Sequence, residues 1–179
     1  MTKGIWWDTS KVKKIWWDTS KVKKIWYGTT LIWTASEVVN GLSSAKYTLS
    51  ASATPNIGSL DRLVDGNNTL QCTWNAHPQY IDFTFTDCYV EPTSLTIWSG
   101  QDNNAKNGVK IDSIVGITAS GTTVLLWSNQ VIGANSSITL TRNANDYEFK
   151  TIRFTISKNG STNLTLGEIY FNTFVKYPL

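Results

Sequence analysis

From about Tyr80 onward the chain is a succession of short β-forming segments separated by turn residues. The segments are rich in Val, Ile, Thr and aromatic residues and recur at roughly ten-residue spacing. No segment between them has the apolar spacing of an amphipathic helix. This pattern predicts an all-β sandwich or barrel. The predicted strands are 80–86, 93–98, 111–118, 122–128, 137–141, 150–157 and 164–173.

The chain before these strands divides into three parts. Residues 1–33 form a repetitive arm, residues 34–45 are small and polar and predict a linker, and residues 46–179 form the predicted sandwich. An edge strand is expected near 46–52, and a single helical turn near 60–64. Trp74 and Trp127 are expected in the core.

The arm consists of three ten-residue units that hold six of the nine tryptophans. Lys-Val-Lys-Lys-Ile-Trp-Trp favours an extended strand and Asp-Thr-Ser favours a turn. The last unit predicts a hairpin with strands 25–27 and 31–33. Because about thirty residues are too few to bury six indoles alone, they need a partner. That partner is the rest of this chain, other copies of it or a larger assembly. The tryptophans of the arm are Trp6, Trp7, Trp16, Trp17, Trp26 and Trp33.

The positive charge of the chain lies in the arm. Residues 1–33 contain seven Lys and two Asp, whereas acidic residues outnumber basic ones in the remainder. One interpretation is attraction to an acidic partner such as nucleic acid, a membrane or an acidic protein. The other, which the regular Lys-Val-Lys-Lys alternation favours, is that Lys residues guard the exposed edge of a strand.

The few cysteine and histidine residues limit the catalytic chemistry that the chain can support. Cys72 and Cys88 are the only cysteines, and His77 is the only histidine. The cysteines either form one disulfide or stay as two partly buried thiols, and the second alternative is favoured. Neither lies in a nucleophile motif, and no Gly-x-Ser-x-Gly or phosphate-binding loop occurs. We therefore expect no enzymatic activity. No specific nucleic-acid motif and no membrane-spanning segment are found.

Five segments carry a resemblance to a known family. Leu63-Val64-Asp65-Gly66-Asn67-Asn68-Thr69 is similar to an "A-x-D-G-x-x-T" turn, and Trp74 to the tryptophan that follows it. Residues 80–85, 149–154 and 166–171 are similar to "W-I-x-V-D-L", an arginine-containing late strand and "L-x-E-I-x-V". Over residues 46–172 the chain thus resembles the discoidin, or coagulation-factor type C, domain. The resemblance implies a galactose-binding-like, jelly-roll type β-sandwich. The chain departs from the family in its wider spacing between Thr69 and Trp74.

The resemblance also implies two sites. The family often holds a structural calcium, which here corresponds to Asp65 and Glu168, with Asn67, Thr69 and a carbonyl near Arg62. The alternative is that Asp65 caps its turn and Glu168 pairs with Arg153 or Arg62. Sugar binding in such sandwiches comes from loops at one end. The best candidate is the loop after Trp98, and the alternative is a solvated hairpin. The candidate glycan-binding residues are Trp98, Gln101, Asp102, Asn103, Asn104 and His77.

The third arm unit resembles the "K-I-Y-x-G-x-x-L-V-W" hairpin of bacteriophage tail, fibre and other virion proteins. The N-terminus does not resemble a secretory signal. We therefore expect a non-catalytic virion structural protein, in the tail, fibre or capsid, that is made in the host cytoplasm and released by lysis. Its partners would be further copies of itself, with a trimer favoured, other virion proteins and host-surface glycan. The alternative is a free, lectin-like carbohydrate-binding module of a secreted system.

Overall fold

The computed structural model describes residues 16–17, 20–21, 24–27, 30–100, 108–160 and 163–179, with side chains from Ala35 onward. In this part of the chain, single-turn 3-10 helices occur at Leu42–Ser44 and Leu60–Leu63, and none of the helices is long and apolar enough to cross a membrane. The strands are β1 (Trp16–Trp17), β2 (Ser20–Lys21), β3 (Lys24–Tyr27), β4 (Thr30–Thr34), β5 (Glu37–Val39), β6 (Tyr47–Ala51), β7 (Cys72–Trp74), β8 (Gln79–Phe85), β9 (Cys88–Trp98), β10 (Val109–Thr118), β11 (Thr123–Ile132), β12 (Ser137–Thr141), β13 (Phe149–Lys158), β14 (Leu164–Leu166) and β15 (Glu168–Pro178).

The main strands form two antiparallel layers. One layer has the order β6-β8-β13-β10-β11, and the other has the order β5-β15-β9-β12. A single residue pair, Phe149 with Val90, joins β13 to β9, so the whole is one sheet curled into a sandwich. The short ladder β7–β14 pairs separately. The architecture is therefore the all-β sandwich predicted from the spacing of the strands.

The core lies between the layers and is built from alternating side chains. Along β8, Ile81, Phe83 and Phe85 are buried, whereas Tyr80 on the opposite face is exposed. Phe83 meets Phe171 of the other layer with ring centroids 5.0 Å apart and planes inclined by 54°. Rings inclined in this way match the preferred geometry of aromatic pairs. The alternating pattern that predicted β8 thus also determines which of its faces is buried.

Strand β9 begins earlier than the sequence pattern predicts, at Cys88 rather than residue 93. Its first half contains Glu91, whose side chain is fully buried although Glu normally marks a solvent face. The carboxylate accepts hydrogen bonds from Arg142, the Tyr177 hydroxyl and two backbone N–H groups. Because these donors come from distant parts of the chain, the local pattern contains no sign of them.

The other expectations about local structure mostly agree with the coordinates. Strand β6 pairs with β8 only, and is an edge strand as predicted. Strands β3 and β4 pair as the predicted hairpin, with Tyr27 opposite Thr30. Cys72 and Cys88 are both free and buried. The segment 34–45 differs from the expected linker, because β5 within it pairs with residues 174–176 of β15.

Candidate functional site

Four connections leave the strands at one end of the sandwich, which we call the loop end. Their described residues are 75–78 before β8, 99–100 and 108 between β9 and β10, 133–136 after β11 and 159–160 after β13. The strand registers place them together: Val109 pairs with both Ile132 and Lys158. In the same ladder Ile156 pairs with Gln79, which opens β8. His77 and Trp98 therefore lie at the same end of the fold.

The loop of residues 99–108 is anchored at both of its ends to the segment after β11. The Ser99 hydroxyl donates to the Gly133 carbonyl over 2.8 Å, and its backbone N–H donates to the Ser136 carbonyl over 2.9 Å. At the other end, a Cβ on Gly108 would lie 1.8 Å from the Ile132 carbonyl oxygen. Only glycine permits that approach, so the loop leaves and rejoins a rigid base.

Trp98 forms one wall at this base. Its indole lies so close to Gly167 that a Cβ there would be 2.6 Å from the indole Cδ1 atom. Its Nε1 is buried, and no described group accepts a hydrogen bond from it. Gln71 has a similarly unpaired buried Oε1, which lies 2.9 Å from the Cβ that Gly100 would carry. A buried polar atom without a partner costs free energy, so these two atoms are unfavourable as they stand among the described residues.

The structure describes two of the six predicted glycan-binding residues, His77 and Trp98. His77 is exposed in the segment before β8, and Trp98 is half-buried at the end of β9. Gln101, Asp102, Asn103 and Asn104 lie outside the described residues. Trp74 is buried, as predicted, and its Nε1 donates to the Ala53 carbonyl over 2.9 Å. Trp127 is half-buried and packs against the core.

A second feature of the loop end is a buried carboxylate at the start of β15. Glu168 is fully buried, and neither of its carboxylate oxygens has a partner with hydrogen-bond geometry in the described structure. Burial and then the nearby Asp65 carboxylate raise the pKa of Glu168 to about 7, although the backbone N–H groups of Gly66 and Asn67 oppose the shift. Two carboxylates held together in this way favour a bound cation.

The turn that carries Asp65 is held by its own side chains. The Asp65 carboxylate accepts from the Asn67 N–H over 2.8 Å, so Asp65 does cap the turn. The Asn67 side-chain oxygen accepts from both the N–H and the hydroxyl of Thr69. The side chains of Asn67 and Thr69 are thus occupied with each other. They would reach a cation mainly through their backbone carbonyls.

The alternative partners considered for Glu168 are wrong. Arg153 forms a two-pronged pair with Asp82, with both N···O distances 2.8 Å. The Arg62 guanidinium donates instead to the Gln71 carbonyl. No group of three or more His, Cys, Asp or Glu side chains occurs in the described ranges. A cation held between Asp65 and Glu168 would therefore have two carboxylates and otherwise only carbonyl oxygens as ligands, and oxygen donors of this kind are those that calcium prefers.

Sequence reasoning missed Gln71, Ser99 and Gly167. Gly167 sits between two residues of the closing "L-x-E-I" motif, where an isolated glycine in a strand pattern often marks close approach of another backbone. That signal was present and pointed to the contact with Trp98. No local signal distinguishes Gln71 or Ser99 from surface residues of the same type.

No protein-family model and no curated protein matches the sequence. Solved structures do match. The family 32 carbohydrate-binding module of NanJ from C. perfringens, solved with galactose, is 19% identical with a TM-score of 0.60, over 76% of this chain and 98% of that one. The CpGH89CBM32-5 module from Clostridium perfringens, in complex with GalNAc-β-1,3-galactose, is 13% identical with a TM-score of 0.57, over 71% and 94%. A chitosan-binding module from Paenibacillus sp. IK-5 is 17% identical with a TM-score of 0.54, over 75% and 98%.

These comparisons establish the fold. The chain is an all-β, galactose-binding-like β-sandwich, as the resemblance to the discoidin domain implied. The matched modules are covered almost completely, whereas about a quarter of this chain lies outside each match. That share is comparable in size to the arm and the segment that follows it.

Proposed function

We propose that this chain is a non-catalytic carbohydrate-binding domain that binds a glycan at its loop end. The observation that carries the proposal is the position of Trp98, an aromatic wall with an unpaired N–H at the base of an Asn- and Gln-rich loop. The fold is shared with modules solved with galactose and with GalNAc-β-1,3-galactose. Each of these observations favours the lectin-like alternative of the sequence analysis over the virion interpretation.

The residues at the loop end suit the two faces of a sugar ring. A pyranose has an apolar C–H face that stacks on an aromatic ring, and hydroxyls that bond to amides and carboxylates. Trp98 would supply an apolar edge, while Asp102, Asn103 and Asn104 would bond to the hydroxyls. His77 would contribute from the neighbouring segment. The anchoring of Ser99 lowers the entropy lost when the loop binds.

We include calcium in the proposal as a structural ion held by Asp65 and Glu168, with carbonyls of their turn completing the site. When bound, it would neutralise two carboxylates that otherwise repel each other. The unpaired oxygens of buried Glu168 support this assignment. The ion would thereby join the 65–69 turn to the start of β15, next to Gly167 and the Trp98 wall.

A glycan array on the full chain first identifies the glycans that bind most tightly. Titration of the full chain with galactose, with GalNAc-β-1,3-galactose and with those glycans, followed by calorimetry, then measures the affinity of each. A triple variant, Asp102→Ala, Asn103→Ala and Asn104→Ala, should weaken binding at least tenfold. A matched variant at the opposite end, Ser120→Ala with Thr122→Ala, should bind as the parent does. Equal loss in both variants, or no binding of any glycan, would show that the loop end is not a glycan site.

The virion interpretation rests on the arm and remains a second candidate. The observation that favours it is the tryptophan repeat, which forms hairpins where the structure describes it. It predicts a discrete homo-oligomer, with a trimer favoured. Light scattering on the full chain and on a chain beginning at Thr34 tests this. A folded monomer in both cases would remove the arm as a device for self-assembly.

A further inference from the structure

One edge of the sandwich is open and forms a hollow lined by both apolar and polar groups, which we call the edge cleft. It consists of two adjoining parts of ≈ 560 Å³ and ≈ 740 Å³, which share Tyr47 and Val64. Leu49, Ala51 and Leu60 line the first part. These five side chains are only partly buried although they pack against the core. The cleft therefore leaves core-facing surface incompletely covered.

The backbone along this cleft is also unpaired. The N–H of Thr86 donates to the Lys46 carbonyl and the N–H of Ser52 donates to the Tyr80 carbonyl. Hydrogen-bonded pairs alternate along an antiparallel ladder, so every second residue of β6 directs its backbone groups away from β8. Those residues are Tyr47, Leu49 and Ala51. Among the described strands only β8 pairs with β6, so the same three residues present a free backbone edge beside the edge cleft.

The side chains of the cleft lining that can carry a charge near neutral pH are all acidic. They are Asp61 in the first part and Asp65 and Glu168 in the second. A bound calcium would neutralise the last two and leave Asp61 uncompensated. An occupant of the cleft should accordingly be an extended segment with apolar side chains and a positive charge.

We propose that residues 3–7 of this chain's own arm, Lys-Gly-Ile-Trp-Trp, add to β6 as an edge strand and place an apolar face in the edge cleft. The segment has the five-residue length of β6. Ile5 and Trp7 share one face of an extended strand, and Trp6 lies on the other. Lys3 brings positive charge toward the acidic lining. The cleft supplies a place for part of the aromatic surface that a short arm cannot bury by itself.

The arm is connected to the sandwich beside the cleft. The arm joins the sandwich at β5, and the chain then passes directly to Gly41, whose N–H donates to the Phe171 carbonyl. Gly41 and Phe171 both line the second part of the cleft. Eight residues separate Trp7 from the start of β1, and in extended form they span up to about 28 Å.

Pairing with a segment of the same chain is intramolecular, with an effective concentration of up to the order of millimolar, which favours the chain's own arm over a second copy. The pairing occupies one arm unit only. The two later units remain free for other contacts, so it is independent of glycan binding and of assembly.

Amide hydrogen exchange on the full-length protein tests the pairing. The amides of Leu49 and Ala51 should exchange slowly, because the added strand protects them. The double variant Ile5→Asp with Trp7→Asp should speed their exchange at least tenfold, whereas Thr48 and Ser50, whose backbone groups face β8, should not change. A charge-matched control, Thr9→Asp with Ser10→Asp, should leave all four amides as in the parent. Fast exchange of Leu49 and Ala51 in the parent would overturn the proposal.

A photo-crosslinker tests whether the occupant is the chain's own arm. Benzoylphenylalanine in place of Thr54, on the cleft wall, should capture a peptide from residues 1–11. The same group in place of Thr48, on the opposite face of β6, should capture it at least tenfold less. In an equal mixture of ¹⁴N- and ¹⁵N-labelled protein, products should contain one isotope only. Mixed-isotope products amounting to about half of the total would assign the cleft to a second copy and refute the assignment made here.

Discussion

Replacing Glu168 with Gln should stabilise the protein without calcium and abolish its stabilisation by calcium. The two effects have opposite signs because the buried carboxylate lowers the free energy of unfolding when no cation is bound, but serves as a ligand when calcium is present. In the described structure its oxygens have no hydrogen-bond partner and Asp65 faces it. Gln keeps the shape of the side chain and removes the charge, so the comparison isolates the electrostatic contribution.

The size of the expected change in stability follows from the pKa of Glu168. Glu168 has a pKa raised from 4.5 to about 7 in the folded protein. A carboxyl group with a raised folded pKa favours the fold when protonated, and that advantage is lost as the pH rises through about 7. The shift corresponds to at most about 3 kcal/mol, which relaxation and water penetration around the buried charge reduce to about 1–2 kcal/mol. In chelator near pH 8, Glu168→Gln should therefore raise Tm by about 2–8 °C.

The assay is thermal unfolding of parent and variant at about pH 8 and about pH 5, with chelator and with excess calcium. Near pH 5 the parent is largely protonated in its folded form, so the two proteins should differ much less in chelator. At calcium one hundred times the dissociation constant, the parent should gain about 2.7 kcal/mol and the variant nothing. Glu37→Gln on exposed β5 serves as the control and should behave as the parent throughout.

Two results would refute this reasoning. A variant less stable than the parent in chelator near pH 8 would mean that the carboxylate is already paired favourably without a cation. Calcium stabilisation that persists in the variant would mean that Glu168 is not a ligand. In the second case the raised pKa would still be explained by burial, but the metal assignment would fall.

Three further predictions follow from other parts of the fold. Arg142→Met should lower the free energy of unfolding, measured in urea, by about 3–5 kcal/mol, because it leaves the buried Glu91 charge without its cation. A smaller effect than Lys110→Met, at a pair exposed to solvent, would contradict this. Gly167→Ala should cost about 1–3 kcal/mol and weaken glycan binding, since its Cβ would overlap Trp98, whereas Gly133→Ala, with open space around it, should be tolerated. Burial raises the pKa of Cys72 and of Cys88 to about 12, so both thiols should react with a disulfide reagent near pH 8 only at the rate of unfolding. Rapid labelling of the native protein would show that they are accessible.

Much of the fold could be read from local patterns. The period-two alternation of Ile81, Phe83 and Phe85 predicts both a strand and its buried face, since alternate side chains point to opposite sides of a sheet. Turn residues between such segments predict an all-β chain. Prediction from the alternating pattern fails in the first half of strand β9, because buried Glu91 interrupts the alternation of apolar and polar residues. Its hydrogen-bond partners lie more than fifty residues away.

The candidate sites were accessible from the sequence only by resemblance. Asp65 and Glu168 are about a hundred residues apart, and nothing in the spacing between them indicates that they meet. Trp98 is one tryptophan among nine, and no local feature separates it from Trp74, which is entirely core.

Strand content, the buried faces of the regular strands and the repetition of the arm depend on neighbours along the chain, so local patterns are enough to predict them. The burial of Glu168 beside the Asp65 turn and the packing of Trp98 on Gly167 arise only when the chain folds. The free edge of β6 beside the edge cleft arises in the same way. Each of these depends on strand order and register across the two layers. Order and register are set by how all the strands pack together, and no single segment encodes them.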